Sequence, residues 1–388
     1  METTFREHSL NHIYLDYNAS TPIAQEVIEE MRPFLSDWYG NPSSAHWASA
    51  NLKESTEQAR TRVARLIGCD AEELVFTSGA SEANNHALKG VYYALQNRGN
   101  HIITTKIEHP SVLETCRFLE KIGANITYVE VDEYGLVNPR DVEKAITDQT
   151  ILISVMHANN EIGSVQPIAE ISQIARKYDV YFHVDAAQTI GKIPVLVNQL
   201  GVDLLSIAGH KFYAPKGIGV LYIRKGTALE SLIHGAGHES GRRAGTENIP
   251  YIVGLGRAAA LVASDLADGK IERMGKMLWT EINKHFQEAI SLNGHPIHRL
   301  PNTFNINFHG YSGQEILQRL PEIAATTGSA CHTGKSTFSP VLAAMKVPEE
   351  IGRGAVRFSL GRYSTEETIR NVISLIKQRI PLTTKGGI

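Results

Sequence analysis

Between about residues 50 and 225, short apolar runs alternate with stretches whose apolar residues recur at helical spacing. The runs Leu74–Thr77, His101–Thr105, Ile126–Val131, Ile151–Met156, Val180–Val184, Leu204–Ile207 and Gly219–Ile223 read as buried strands. Between them, Lys53–Ile67 reads as an amphipathic helix that Gly68 stops. Such alternation predicts an α/β fold with a mainly parallel sheet covered by helices. Residues 226–255 are rich in glycine and charge and show no period. From 256 the pattern changes to a long helix over Arg257–Ile290, strands at Asn305–Phe308 and Val356–Leu360, and a last helix over Glu366–Arg379. The expected organisation is a large domain over 14–255 and a smaller C-terminal α/β domain over 256–388, with residues 1–13 packing against the latter.

Bulk composition narrows the function classes. The 388 residues are 42% hydrophobic and 20% charged, with a formal net charge of −3. That balance is globular and carries no footprint for nucleic acid or a membrane surface. The three cysteines, Cys69, Cys116 and Cys331, lie far apart with no Cys-x-x-Cys, which argues against a disulfide framework or a zinc ribbon. The N-terminus lacks the apolar core of a signal peptide, and no run is expected to approach the apolar length of a membrane span, so the expected compartment is the cytoplasm.

In a parallel sheet, ligands sit beyond the C-terminal ends of the strands. Several strand ends here carry chemistry-bearing groups. Lys211 follows one in Ser206-Ile207-Ala208-Gly209-His210-Lys211; a desolvated lysine can lose its proton and form a Schiff base. Asp185 closes another in His183-Val184-Asp185-Ala186-Ala187-Gln188, where a carboxylate can pair with a protonated pyridine nitrogen, or simply cap a helix. Thr77-Ser78-Gly79-Ala80-Ser81-Glu82 passes from strand through glycine to helix, so the helix start offers free N–H groups to a phosphate. His109 in Glu108-His109-Pro110 is placed to move protons. Asn159-Asn160-Glu161 follows the strand ending near Met156. Each alone fits an ordinary loop or cap; together they fit one mechanism.

These segments, with others, resemble the NifS/IscS-like cysteine desulfurases, class V aminotransferase-fold enzymes dependent on pyridoxal 5′-phosphate (PLP). The matching stretches are Tyr14-Leu15-Asp16-Tyr17-Asn18-Ala19, Gly40-Asn41-Pro42-Ser43-Ser44, FTSGASEANN (76–85), EHPSV (108–112), ANNEIG (158–163), HVDAAQ (183–188), GHKFYAPKGIGVLYI (209–223), GRRAGTEN (241–248), GSAC (328–331) and RFSLGR (357–362). They run in family order along nearly the whole chain. The resemblance implies the PLP-dependent transferase fold type I, with Lys211 as the Schiff-base lysine, Asp185 on the pyridinium nitrogen, Gln188 on the ring 3′-oxygen and His109 stacked on the ring. It places Ala80, Ser81 and His210 on the phosphate, with Thr246 reaching across a homodimer interface. Asn160 and Arg357 would hold the substrate carboxylate, and Cys331 would take sulfur from L-cysteine as a persulfide, leaving L-alanine. A sulfur-acceptor protein would then receive it, as in iron–sulfur cluster biogenesis. Two positions depart from the pattern: Ala208, where serine is common, and His238, where glutamine is common. His332 and Ser339-Pro340-Val341-Leu342 resemble the selenocysteine lyase branch, which leaves L-selenocysteine as the alternative substrate.

Cys331 sits among glycine, serine and threonine, a composition that predicts an exposed loop and a reactive thiol, whereas Cys69 and Cys116 fit structural positions. A P-loop nucleotide site is a remote alternative. Gly334-Lys335-Ser336 copies its end, but five residues separate Gly328 from Gly334 where the motif needs four. Gly217-Ile218-Gly219 lacks the third glycine of a dinucleotide fingerprint. The 16 histidines include no His-Glu-x-x-His, so no metal is expected.

Overall fold

The computed structural model describes residues 12–327 and 338–381. Its twelve strands are β1 (Ile13–Tyr14), β2 (Leu74–Thr77), β3 (His101–Thr105), β4 (Asn125–Val129), β5 (Thr150–Met156), β6 (Tyr181–Asp185), β7 (Leu204–Ala208), β8 (Gly219–Ile223), β9 (Ile290–Asn293), β10 (Thr303–Phe308), β11 (Ile323–Ala324) and β12 (Ala355–Ser359). Seven form one sheet in the order β2-β8-β7-β6-β5-β3-β4. Only β8 runs against its neighbours, pairing antiparallel with β2 and β7; the other pairings are parallel. The central strands are buried on both faces, as continuous apolar runs such as Ile151–Val155 require. The ends of β2, β3, β5, β6 and β7 therefore open on one edge of the sheet, where the sequence puts its polar groups.

The first covering layer includes the helix Leu52–Ile67, closed at Gly68, whose amide donates back to Ala64. It crosses the helix Ile249–Asp268, and the two approach so closely that a Cβ on Gly256 would lie 2.5 Å from Ala59 Cα. That second helix is long and apolar enough to cross a membrane, contrary to the expectation of no such stretch. The fold uses its apolar face as core: Ile252, Leu255, Ala258, Ala259 and Val262 are buried against the large sheet's cluster.

The single helix expected over Arg257–Ile290 is two helices. The first begins earlier, where the Asn248 side chain accepts from the Tyr251 amide, and ends at Gly269 in the left-handed region; Lys270–Phe286 follows. Apolar spacing continues across the break, so periodicity alone hides it. By packing, the first helix goes with the large core through Val262 and Leu266, as do Leu342, Met345 and Ala355 further on. The helix Lys270–Phe286, the sheet β12-β10-β9 and the helix Glu366–Arg379 make the second core through Leu278, Ile306, Phe358 and Ile373. The N-terminal strand belongs there too: β1 pairs with β11, and Leu15 is buried in this smaller cluster.

Candidate active site

Lys211 lies just past the end of β7, at the bottom of a cleft of about 640 Å³ between the sheet edge and the smaller core. Its Nζ donates to the backbone carbonyls of Asn18 at 2.7 Å and Ala19 at 3.0 Å. Desolvation, with the Arg357 charge adding to it, pulls its pKa down to about 8, although Asp185 and Asp16 oppose the shift. A larger share of the amine is thus neutral at ordinary pH than in an exposed lysine, and the neutral form is the nucleophile toward a carbonyl.

Asp185 closes β6 opposite. One carboxylate oxygen accepts from the Ala187 amide at 2.9 Å and the other from Asn84 Nδ2 at 2.7 Å. The same Asn84 nitrogen donates to Ser111 Oγ at 2.8 Å, and Ser111 Oγ stands 2.8 Å from His109 Nδ1. The Ser111 amide also donates to that Nδ1, so Nδ1 is an acceptor and the neutral ring carries its proton on Nε2. Desolvation lowers the His109 pKa; Lys211 adds to the shift and Asp185 opposes it. His109 is therefore held neutral, with its proton on Nε2.

The other end of the cleft is the start of the helix Ala80–Ala94. Gly79 has φ 150°, which an L side chain would resist, and a Cβ on Gly219 of β8 would meet Gly79 Cα at 2.6 Å. The tight turn seats the first amides of the helix, with Ser81, at the cleft wall beside His210. Burial first, then nearby lysines, lowers the His210 pKa to about 4, leaving a neutral donor there.

Arg357, on β12, closes the cleft from the smaller core. Its Nη1 donates to the Asn160 backbone carbonyl at 2.8 Å and its Nη2 to Asp16 Oδ1 at 2.6 Å, while Nε is buried without a partner. Asn160 lines the cleft; its neighbour Asn159 is a turn residue whose Oδ1 accepts from the amides of Glu161 and Ile162. Gln188 lines it as well and donates through Nε2 to the Asn18 carbonyl at 3.0 Å.

Lys211, Asp185, Gln188, His109, Ala80, Ser81, His210, Asn160 and Arg357 thus share one cleft. Thr246 does not line it; it lies in a neighbouring depression with Thr77, Ser78 and Arg243. Cys331 lies outside the described residues, as do Gly328, Lys335 and Ser336 of the nucleotide-binding alternative. Three groups at the site were not singled out from sequence: Asn18, Asn84 and Lys192. Asn18 and Asn84 stand inside the YLDYNA and FTSGASEANN stretches, which was the available signal.

The donor set fits PLP. Asp185 accepts two hydrogen bonds of the roughly four a carboxylate can take, leaving capacity for a ring N–H⁺, and the helix start offers an anion its free amides. The comparisons agree. The aminotransferase class-V profile matches residues 13–372. A cysteine desulfurase IscS of Dictyoglomus turgidum is 48% identical over 373 residues, 95% of this chain and 94% of that protein. One of Methanosarcina thermophila is 43% identical over 387 residues, 96% and 95% of the two chains. Among solved structures, a NifS-like protein superposes with a TM-score of 0.88 at 37% identity, covering 95% of this chain and 98% of its own. SspA in complex with cysteine does so at 0.81 and 40%, covering 91% and 100%. The chain belongs to the aminotransferase class-V family, which generally uses PLP. Within it, the relatives are the IscS/NifS-like cysteine desulfurases, matched over almost their full length, and the nucleotide-binding alternative falls away.

Proposed function

We propose that this chain is a PLP-dependent cysteine desulfurase that converts L-cysteine to L-alanine and carries the sulfur on Cys331. The observation that carries the reading is the buried Lys211 amine, its pKa lowered to about 8, in one cleft with the Asp185 carboxylate, which is oriented by Asn84 and the Ala187 amide. Lys211 would hold PLP covalently, Asp185 its ring nitrogen, Gln188 its 3′-oxygen, and Ala80, Ser81 and His210 its phosphate. When bound, PLP supplies an electron sink for the carbanion formed at the substrate α-carbon.

The side chains perform the rest. Arg357 binds the substrate carboxylate; its fork matches that group, and Nη1 and Nη2, which give one hydrogen each to Asn160 and Asp16, keep a second for it. Asn160 orients from beside it. Lys211, with its amine free, would remove the α-proton and later supply protons to the β-carbon and back to the α-carbon. His109, neutral with a free-standing Nε2–H, exchanges protons at the substrate sulfur. The Cys331 thiolate attacks that sulfur: the Sγ–S bond forms as the Cβ–S bond breaks, and the electron pair passes to the substrate carbon, which is protonated to alanine. Cys69 and Cys116 are poor candidates for this step, since burial pushes both thiols up to about 12.

The active unit is a homodimer in which Thr246 reaches the partner's phosphate site; its position outside its own cleft supports that role. A sulfur-acceptor protein takes the persulfide. The family match to cysteine desulfurases favours L-cysteine over L-selenocysteine as the substrate. The test is a yellow purified protein whose visible band is lost on borohydride reduction as the cofactor becomes fixed to Lys211, and which releases alanine from cysteine. A colourless protein, or a Lys211→Ala variant to which borohydride still fixes the cofactor covalently, would overturn the reading.

A further inference from the structure

Lys192 stands directly behind Gln188, and no step above uses it. Its Nζ donates to Gln188 Oε1 at 2.6 Å and to Asn18 Oδ1 at 2.9 Å. Asn302 Nδ2 donates to the same Asn18 oxygen at 3.0 Å, and Asn18 Nδ2 donates to Thr303 Oγ1 at 2.8 Å, so the Asn18 amide has one orientation. An amide's two orientations have nearly the same shape and differ only in which neighbours they satisfy. Lys192 settles the matter for Gln188. An ammonium has donors only, so the Gln188 atom facing it must be oxygen. The reverse orientation would set NH₂ against ammonium with no acceptor between them.

The consequence lies on the opposite side of the amide. Gln188 Nε2 gives one hydrogen to the Asn18 carbonyl at 3.0 Å, which leaves the second for the cleft. We propose that Lys192 is a positioning residue that locks Gln188 as a hydrogen-bond donor toward the 3′-oxygen of the lysine-bound cofactor, an inference that rests on the cofactor reading above. Burial, with Lys211 and Arg357 adding, draws the Lys192 pKa well down. The lock belongs to the protonated form, because a neutral amine would add a lone pair able to accept from an amide NH₂. The same contact ties the N-terminal segment to the cofactor site, since the Asn18 that receives Lys192 also receives Lys211.

The test is the pH midpoint of the visible band of the purified holoenzyme. A donor on the ring oxygen withdraws electron density from the neighbouring imine and lowers that midpoint. Lys192→Met should raise it by about one unit, the scale of one hydrogen bond. Gln188→Ala should raise it similarly, and the double variant should go no further than Gln188→Ala alone, because the lysine acts through the amide. Lys192→Gln, which keeps a donor facing Gln188 Oε1, should stay near the wild-type midpoint even if Lys192→Met does not fold. The proposal fails if Gln188→Ala leaves the midpoint in place, if the two single shifts add, or if Lys192→Gln shifts it as far as Gln188→Ala. A wild type to which borohydride fixes no cofactor at Lys211 would instead overturn the cofactor reading itself.

Discussion

The Lys211 ammonium donates to the backbone carbonyl of Asn18 at 2.7 Å, joining the end of β7 to the N-terminal segment. A carbonyl holds the amine in place without neutralising it, so desolvation is free to lower its pKa to about 8. A carboxylate in that position would do the reverse and keep the lysine charged. The Asn18 carbonyl also receives Gln188, so the same peptide group places the lysine and the amide expected on the cofactor oxygen. Lys211→Ala should fold, because the lysine contributes no core packing, and should lose covalent fixation of the cofactor by borohydride and all alanine release from cysteine. Measurable turnover in that variant would remove Lys211 from the mechanism.

Asp185 is the next test. Its two acceptor contacts keep the carboxylate edge aimed into the cleft. Asp185→Asn keeps the shape but removes the charge that holds a ring nitrogen protonated. A charge-assisted hydrogen bond is worth about 1.5–3 kcal/mol, so kcat/KM should fall between roughly tenfold and a hundredfold or more, with weaker cofactor retention on dialysis. Asn84→Ala should reproduce part of this loss, since it removes the donor to both Asp185 and Ser111. Wild-type kcat/KM in Asp185→Asn would sink the assignment.

How much of this was legible in the sequence depended on the range of each interaction. Lys211, Asp185 and the Gly79–Ser81 turn were readable because each follows its own strand within a few residues, and strand order puts those ends side by side. β2, β3 and β8 matched their apolar runs residue for residue, being buried throughout. The edge strand β4 came out as Asn125–Val129, not Ile126–Val131, because its half-exposed residues blur the pattern. The Asn18 contacts were illegible for a different reason. They join Asn18 to Lys192, Lys211 and Asn302, all more than a hundred residues away, and no local spacing encodes them. Asn84 likewise looks like any polar residue in a helix until the fold brings β6 to it.

Glu108, just before His109, offers a prediction about stability. Its Oε1 accepts from Thr105 Oγ1 at 2.7 Å and from the Met156 amide at 3.0 Å, while Oε2 is buried without a partner. Burial outweighs both hydrogen bonds and raises its pKa from 4.5 to about 8. The folded chain therefore keeps a proton that the unfolded chain has lost between pH 4.5 and 8. This contribution is complete below the unfolded value and is lost as pH rises through that window. Glu108→Gln should flatten it: denaturant midpoints measured at pH 5 and pH 8.5 should differ less in the variant than in wild type. An unchanged difference would mean that Glu108 is ionised in the folded protein.

Assembly has its own test. If Thr246 completes the phosphate site of the other subunit, activity requires two copies. Sedimentation at assay concentration should give a dimer, and Thr246→Ala should weaken cofactor retention without disturbing that dimer. A fully active monomer would remove the cross-subunit role.

The last prediction separates sulfur from selenium. A selenol is more acidic than a thiol and the C–Se bond is weaker than C–S, so selenium can depart without a nucleophile, whereas sulfur needs a thiolate to receive it. Cys331→Ala should therefore keep the visible band, since the cysteine takes no part in holding the cofactor. It should lose alanine formation from L-cysteine and retain some from L-selenocysteine. Wild type should accept both amino acids. Comparing kcat/KM for the two substrates in both proteins gives four values. Full desulfuration of cysteine by the variant would show that Cys331 is not the acceptor, and a wild type active on selenocysteine alone would make the chain a lyase. Loss of both activities with the band intact would mean that Cys331 also serves the step common to both substrates, and the acceptor role alone would then be too narrow.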